Sequence, residues 1–208
     1  MFKVDYQHAL DLTFYRRHPE IVAKELLGKI LVRRIGKTIL AGKIVETEAY
    51  LSEGDFSCHA VRGKTKRNAP MFEDGGVLYV YKIYGVHHCI NFVTESEGKG
   101  SAVLIRAAEP IMGIDMMKHN RACDNLKLLC KGPGNLAKAF NFTKQDNFAS
   151  LKSTDLFVQS DGNEVPNILV TKRIGVAQSS ELPLRFIIEN SEYISGNNRK
   201  PDKYQIKH

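Results

Sequence analysis

The alternation of apolar and polar residues divides the chain into a short helix, a series of strands and one long irregular loop. Ile21, Val22, Leu26 and Leu27 form an apolar stripe behind Pro19 and Glu20, which suit a first helical turn, and Gly28 stops the run. Residues 29–34 and 38–50 read as strands joined by Ile35-Gly36-Lys37, hence an antiparallel hairpin. Residues 52–76 have no period and are rich in Gly, Asp, Lys and Arg. A loop that long inside a compact domain is more often functional than idle. Two further strands lie between Gly75 and Phe92, with a bend at Tyr84-Gly85. Residues 101–109 form an apolar strand interrupted by Arg106, and Pro110 is expected to open a helix through about Lys118. Lys131-Gly132-Pro133-Gly134-Asn135-Leu136 leads into a short helix, and short strands are expected around 156–159, 168–176 and 184–189. With no repeat and no linker, the pattern predicts one domain over 1–195 and a flexible basic tail over 196–208.

Spacing then picks out the chemistry. Glu46, Glu48 and Tyr50 recur every second residue, so a strand turns all three to one face and Val45, Thr47 and Ala49 to the other. A solvated acidic face would show the same alternation. What changes the picture is the neighbourhood: Cys58-His59 and the cationic stretch Arg62-Gly63-Lys64-Thr65-Lys66-Arg67-Asn68 follow within one loop. Arg106 cannot shed its charge and needs a carboxylate or phosphate partner, which points to Glu46 or Glu48. Pattern alone does not say which glutamate is the base. Glu46, the farther from Tyr50, is expected to hold a cation of the loop. Tyr79 and Tyr81 share a strand face, with Tyr79 expected at the edge of the core. Tyr84 beside Gly85 is expected to project, as a wedge between bases would. Free N–H groups ahead of Leu136 would suit a phosphate, and a plain glycine-rich turn fits equally well.

Charge narrows the partner. The 208 residues carry a formal net charge of +7, which favours an anionic partner. No apolar run approaches the ~20 residues needed to span a bilayer, and MFKVDYQHALDL has no signal-peptide apolar core. A cytoplasmic protein without membrane contact is expected, nucleoid-associated if the source is bacterial, with a nuclear or organellar location left open. The four cysteines contain no C-x-x-C pair. Adjacent residues such as Cys58-His59 point to opposite strand faces, so no metal is expected. Glu53, Asp55 and Asp74 sit on a loop without ligand spacing, which disfavours a metal-dependent nuclease. Two readings stay open. Hydrolysis at a flipped-out nucleobase ranks above a non-catalytic module that binds damaged nucleic acid.

Six ordered blocks bear on that choice. Ile44-Val45-Glu46-Thr47-Glu48-Ala49-Tyr50 with His59, then Arg67-Asn68 and Met71-Phe72, resembles the alkyladenine (3-methyladenine) DNA glycosylase family. So do Leu78-Tyr79-Val80-Tyr81 with Ile83-Tyr84-Gly85, Val103-Leu104-Ile105-Arg106-Ala107 with Glu109-Pro110, Gly132-Pro133 with Leu136, and Pro183-Leu184-Arg185-Phe186. The resemblance covers roughly residues 12–195. It implies an α+β fold, one domain with a curved antiparallel sheet and peripheral helices. It also implies a monomer that excises alkylated or deaminated purines from double-stranded DNA, without cofactor, and leaves an abasic site. By position, Glu48 matches the water-activating base and Arg106 the arginine that orients that water. Tyr50, His59 and Tyr81 match the side chains that enclose the flipped base, Asn91 the pocket asparagine that rejects guanine, and Tyr84 the wedge. Lys64, Thr65, Arg67 and Lys131 are expected against the DNA backbone. His87-His88 stands where some relatives carry other bulky residues beside the wedge, which changes the minor-groove contact. The turn between Asn91 and Arg106 and the loop between His59 and Met71 vary in length across the family, so lesion preference does not carry over.

Overall fold

The strand β2 (Thr38–Tyr50) is the seam on which the molecule is assembled. The structure, a computed structural model, describes residues 3–83, 85–163 and 167–196. The predicted hairpin forms, with β1 (Ile30–Ile35) antiparallel to the first half of β2. The other edge of β2 pairs with β5 (Ser101–Met112) along nearly its whole length. Outward from β5 lie β4 (His87–Thr94) and β3 (Leu78–Ile83), and outward from β1 lie β7 (Leu156–Gln159) and β6 (Lys152–Ser153). Where β1 leaves the edge of β2, β9 (Arg185–Ile188) takes its place against Glu46, Thr47 and Glu48, with β8 (Ile168–Thr171) beyond it. Every pairing is antiparallel, and the sheet curls into a half-barrel with the helices outside it. The α+β single-domain expectation holds.

The two faces of β2 go where the alternation put them. Thr47 donates its hydroxyl to the Ala23 carbonyl of a helix packed behind the sheet, and Ala49 joins the main core. That core sets the helices α1 (Leu12–Tyr15), α2 (Pro19–Leu26) and α4 (Pro133–Ala139) against Leu31, Leu40, Ile90, Phe92, Val103 and Ile105. Burying each such Leu, Ile, Val or Phe is worth roughly 1.5–3 kcal/mol, and it pins which side of β2 faces inward. α2 begins at Pro19 as expected. The one-turn α1 has no apolar period to announce it, only Asp11, whose carboxylate accepts from Thr13 N at 3.1 Å.

Two boundaries differ from expectation. Pro110 does not open a helix; β5 runs on through Met112, and α3 spans Ile114–Arg121. Pro110 lies opposite Gly42, beside a slip in register, where a residue without an N–H is tolerated. The chain turns only at Gly113, whose φ of +73° suits glycine. The strand expected over 168–176 stops at Thr171, because the next residues spend their polar groups elsewhere: Arg173 binds Asp55, and Ile174 N–H binds Glu48. The expected loop over 52–76 is irregular apart from a 3-10 turn at Ala69–Phe72. Tyr84 and residues 197–208, hence the expected wedge and nearly all of the expected tail, lie outside the described residues.

Candidate active site

The concave face of the half-barrel collects the residues that the two-residue spacing singled out. Glu46 and Glu48 are both fully buried, and Arg106 reaches them from β5. Its Nε donates to Glu46 Oε1 at 2.9 Å and its Nη1 to Glu48 Oε2 at 3.1 Å. The register supplies the aim. Between Ile44 and Thr47 the β2–β5 ladder slips twice, with Val45 extra on one strand and Arg106 extra on the other. Bulges of this kind re-aim a side chain. Burial opposes the charge on Arg106, but Glu48 and Glu46 together outweigh it and its pKa rises. The expected pairing with one glutamate is a pairing with both.

The two carboxylates have different company. Glu46 accepts four hydrogen bonds: Oε1 takes Arg106 Nε, Arg185 Nε at 2.7 Å and the Ser195 hydroxyl, and Oε2 takes the Ser195 backbone N–H. Its cations are therefore Arg106 and Arg185, not those of the 62–67 loop, because Arg185, opposite Glu48 in the β2–β9 register, reaches diagonally to Glu46. Glu48 accepts three hydrogen bonds. Oε2 takes the Tyr50 hydroxyl at 2.9 Å as well as Arg106, while Oε1 takes only the Ile174 N–H, at 2.8 Å. A carboxylate oxygen has two acceptor sites, so Oε1 keeps one for a further donor such as water.

One side chain away lies a cavity of about 290 Å³, lined among others by Tyr50, His59, Arg67, Tyr79, Tyr81 and Asn91. The Tyr79 and Tyr81 rings stack at 5.4 Å, and His59 meets Tyr81 edge-on at 4.6 Å. Tyr79 belongs to both readings: it is buried at the core's edge, yet its hydroxyl stands 3.0 Å from His59 Nδ1. The two groups share one hydrogen bond, whose direction follows the tautomer of the imidazole. Burial pushes the Tyr79 phenol up to about 12 and keeps it protonated. Burial and the Arg67 charge lower the His59 pKa, which favours neutral imidazole although the residue keeps some contact with solvent. Burial and Glu48 hold the Tyr50 pKa well above its ordinary value. Asn91 donates Nδ2 to the Tyr79 carbonyl at 3.2 Å, which turns its carboxamide oxygen away from that bond. A larger depression, about 610 Å³ beside Lys3, Lys43 and Asp161, has a single ring in its lining, the exposed imidazole of His8, and so offers no pair of rings to sandwich a base.

The cationic residues spread around this mouth. Arg67 lies 5.8 Å over the Tyr81 ring, and exposed Lys64 stands 3.8 Å from Glu73. Thr65 is exposed but engaged: its N–H and hydroxyl both donate to Asn68 Oδ1, and Asn68 fastens the loop to the His59 and Gly63 carbonyls. Half-buried Lys131 bridges to Ala107 through its backbone, close to Arg106. Gly132 beside it approaches Ser195. Among the described residues no three His, Cys, Asp or Glu side chains are grouped to hold a metal ion. Burial raises the Cys58 and Cys89 thiols to about 11.

Sequence reasoning missed Asp55, Arg173, Arg185 and Ser195 as parts of the site. Arg185 carries the same signal as Arg106, a cation in an apolar strand, and could have been found by it. Asp55 and Arg173 lie 118 positions apart, and nothing local marks them as partners.

With the geometry in place, comparison with known proteins is specific. The family model described as Methylpurine-DNA glycosylase (MPG) matches residues 13–192. A protein of Methanoculleus marisnigri is 46% identical over 190 residues, covering 89% of this chain and 98% of its own. One from Koribacter versatilis is 44% identical over 192 residues, covering 90% and 93%. One from Chlorobium phaeobacteroides is 46% identical over 185 residues, covering 88% and 93%. All three bear the name "Putative 3-methyladenine DNA glycosylase".

Proposed function

Since the chain belongs to the methylpurine-DNA glycosylase family, we propose that it hydrolyses the N-glycosidic bond of a damaged purine flipped out of double-stranded DNA, leaving an abasic site. The observation that carries this is Glu48, held by Arg106, Tyr50 and the Ile174 N–H beside an aromatic cavity of base-binding size. The flipped base enters between Tyr50, His59 and Tyr81, whose π faces favour a cationic alkylated purine. Such a base leaves readily, because its positive charge already weakens the bond to the sugar. Glu48 stabilises the oxocarbenium-like sugar and takes a proton from the attacking water through the free site on Oε1, while Arg106 fixes the carboxylate. Asn91 screens the purine edge, Tyr84 fills the vacated stack, and Lys64, Thr65, Arg67 and Lys131 follow the phosphates. The protein acts as a cytoplasmic monomer without cofactor. Among the described residues no lysine borders the cavity, in keeping with water rather than an amine as nucleophile.

The full burial of Glu48 favours the second reading, a damage-binding module in which the carboxylate only positions Arg106. Release of free base from duplexes bearing one lesion each separates the two. The expected result is base release that survives EDTA, with no adduct trapped by borohydride. Tight damaged-duplex binding with no release would leave the module. A trapped adduct, or activity lost to chelator and restored by metal, would change the mechanism.

A further inference from the structure

Behind the cavity, on the far side of the Tyr50 ring, lies a buried ion pair to which the proposed chemistry gives no part. Arg173 donates Nη1 to Asp55 Oδ2 at 2.6 Å and Nη2 to Asp55 Oδ1 at 2.7 Å, and both side chains are sealed from solvent. The pair ties three walls together. Asp55 also accepts the Leu51 and Ser57 N–H groups, setting the loop that carries His59. Arg173 donates to the Ala49 carbonyl on β2 at 3.0 Å and to the Ser179 carbonyl. It also precedes Ile174, whose N–H holds Glu48, and Gly175–Ala177, which line the cavity. The guanidinium carbon lies 4.6 Å over the Tyr50 ring. Tyr50 lines the cavity while Arg173 is sealed, so the cation stands behind the face that a base would stack on.

We propose that Arg173, locked by Asp55, is a specificity-determining positioning residue that backs the Tyr50 ring with positive charge and so offsets part of the preference of the π faces for cationic bases, which lets neutral ones compete. A ring has one π system, and a cation drawing on one face weakens its attraction for a cation on the other. A base stacked at about 3.5–4 Å on the open face would also sit close enough to feel the guanidinium through low-dielectric surroundings. Asp55 cancels part of this field. The Nε of Arg173 is buried without a partner among the described residues, so part of the cation stays uncompensated beside the ring. Burial and Glu48 raise the Tyr50 pKa while Arg173 pulls the other way, so its charge reaches the ring.

The inference rests on the glycosylase reading, and one experiment separates the two. Single-turnover base release is measured for duplexes bearing one 7-methylguanine, which is cationic, or one hypoxanthine, which is neutral. The neutralised pair Asp55→Asn with Arg173→Met should raise the ratio of cationic to neutral rates by about three- to thirty-fold. Arg173→Lys, which keeps a cation behind the ring, should restore the wild-type ratio even if both rates fall. Should the double variant fail to fold, Asp55→Asn alone bares the Arg173 charge and should push the ratio the other way. Equal loss on both lesions, in either the double variant or Asp55→Asn, makes the pair merely structural and overturns the inference. A wild-type protein that releases base from no lesion removes the glycosylase reading, and this inference with it.

Discussion

Glu46 and Glu48 sit about 6.6–6.8 Å apart on one strand face, and only their partners distinguish them. Glu46 takes four donors, two of them guanidinium groups, which makes it the anchor of Arg106 and Arg185. Glu48 holds one guanidinium and the hydroxyl of Tyr50, which lines the cavity. Glu48→Gln should therefore stay folded, with Arg106 still held by Glu46, and lose about 10²–10⁴-fold in single-turnover excision. Glu46→Gln removes the charge between two buried guanidiniums, and breaking such a pair costs about 3–5 kcal/mol. It should lower the melting temperature first and slow excision less. A folded, inactive Glu46→Gln beside an active Glu48→Gln would reverse the assignment. His59 gives a second test. Burial and Arg67 hold its pKa below the ordinary 6.5. In the acidic window below 6.5 the unfolded chain therefore takes up the proton first. The stability this residue contributes is present above 6.5 and lost as pH falls through the folded value. An NMR titration of the imidazole should place it below 6.5, and Arg67→Gln should move it upward; a wild-type value at or above 6.5 would contradict the packing described.

At the scale of elements, what the sequence made legible was local and periodic. The β1–β2 hairpin, the start of α2 and the shared face of Glu46, Glu48 and Tyr50 all follow from spacings of two or four and from one glycine turn. The site residues that escaped notice are joined across 118 positions, for Asp55 and Arg173, and 139, for Glu46 and Arg185. Periodicity cannot report a contact whose two halves belong to different elements. The paired bulges that aim Arg106 were invisible for the same reason, since register belongs to two strands together. The misplaced helix start has a different cause. Pro110 reads locally as a first-turn residue, yet the turn is made three residues later, at Gly113. A Cβ there would lie 2.5 Å from the Ile39 carbonyl oxygen and from Leu40 Cδ2, at a φ of +73°. Gly113→Ala should cost more than the roughly 1–2 kcal/mol of the left-handed conformation alone. That is a fall in melting temperature of more than about 2–8 °C. Gly36→Ala, at φ +57° with open space around it, isolates the conformational cost. Equal losses for the two would mean that the β5–α3 junction relaxes freely.

For the molecule as a whole, the net charge of +7 matters only through where it is displayed. Several surface cations are spoken for: Arg16 pairs with Asp74, Arg17 with Glu25, and Lys127 with Glu192. The loop beside the cavity is different. Arg62, Lys64, Lys66 and Arg67 are exposed within six residues, and the nearest acid, Glu73, lies 3.8 Å from Lys64 at a solvent-exposed pair that is worth little. This loop is tethered through Asn68 to the backbone of His59, so a phosphate bound on it is positioned relative to the base pocket. Duplex affinity should therefore fall steeply with salt, with a slope in log K against log salt of about −0.9 per phosphate neutralised. Lys64→Glu and Lys66→Glu should each flatten that slope by roughly one contact. Lys37→Glu changes the net charge by the same amount at the start of the 13-residue strand β2, opposite the end that carries Tyr50, and should leave the slope within error. If all three act alike, the duplex responds to total charge alone. If Lys37→Glu flattens it and the loop variants do not, the DNA lies against the far end of the sheet, and the cavity is not where it meets the protein.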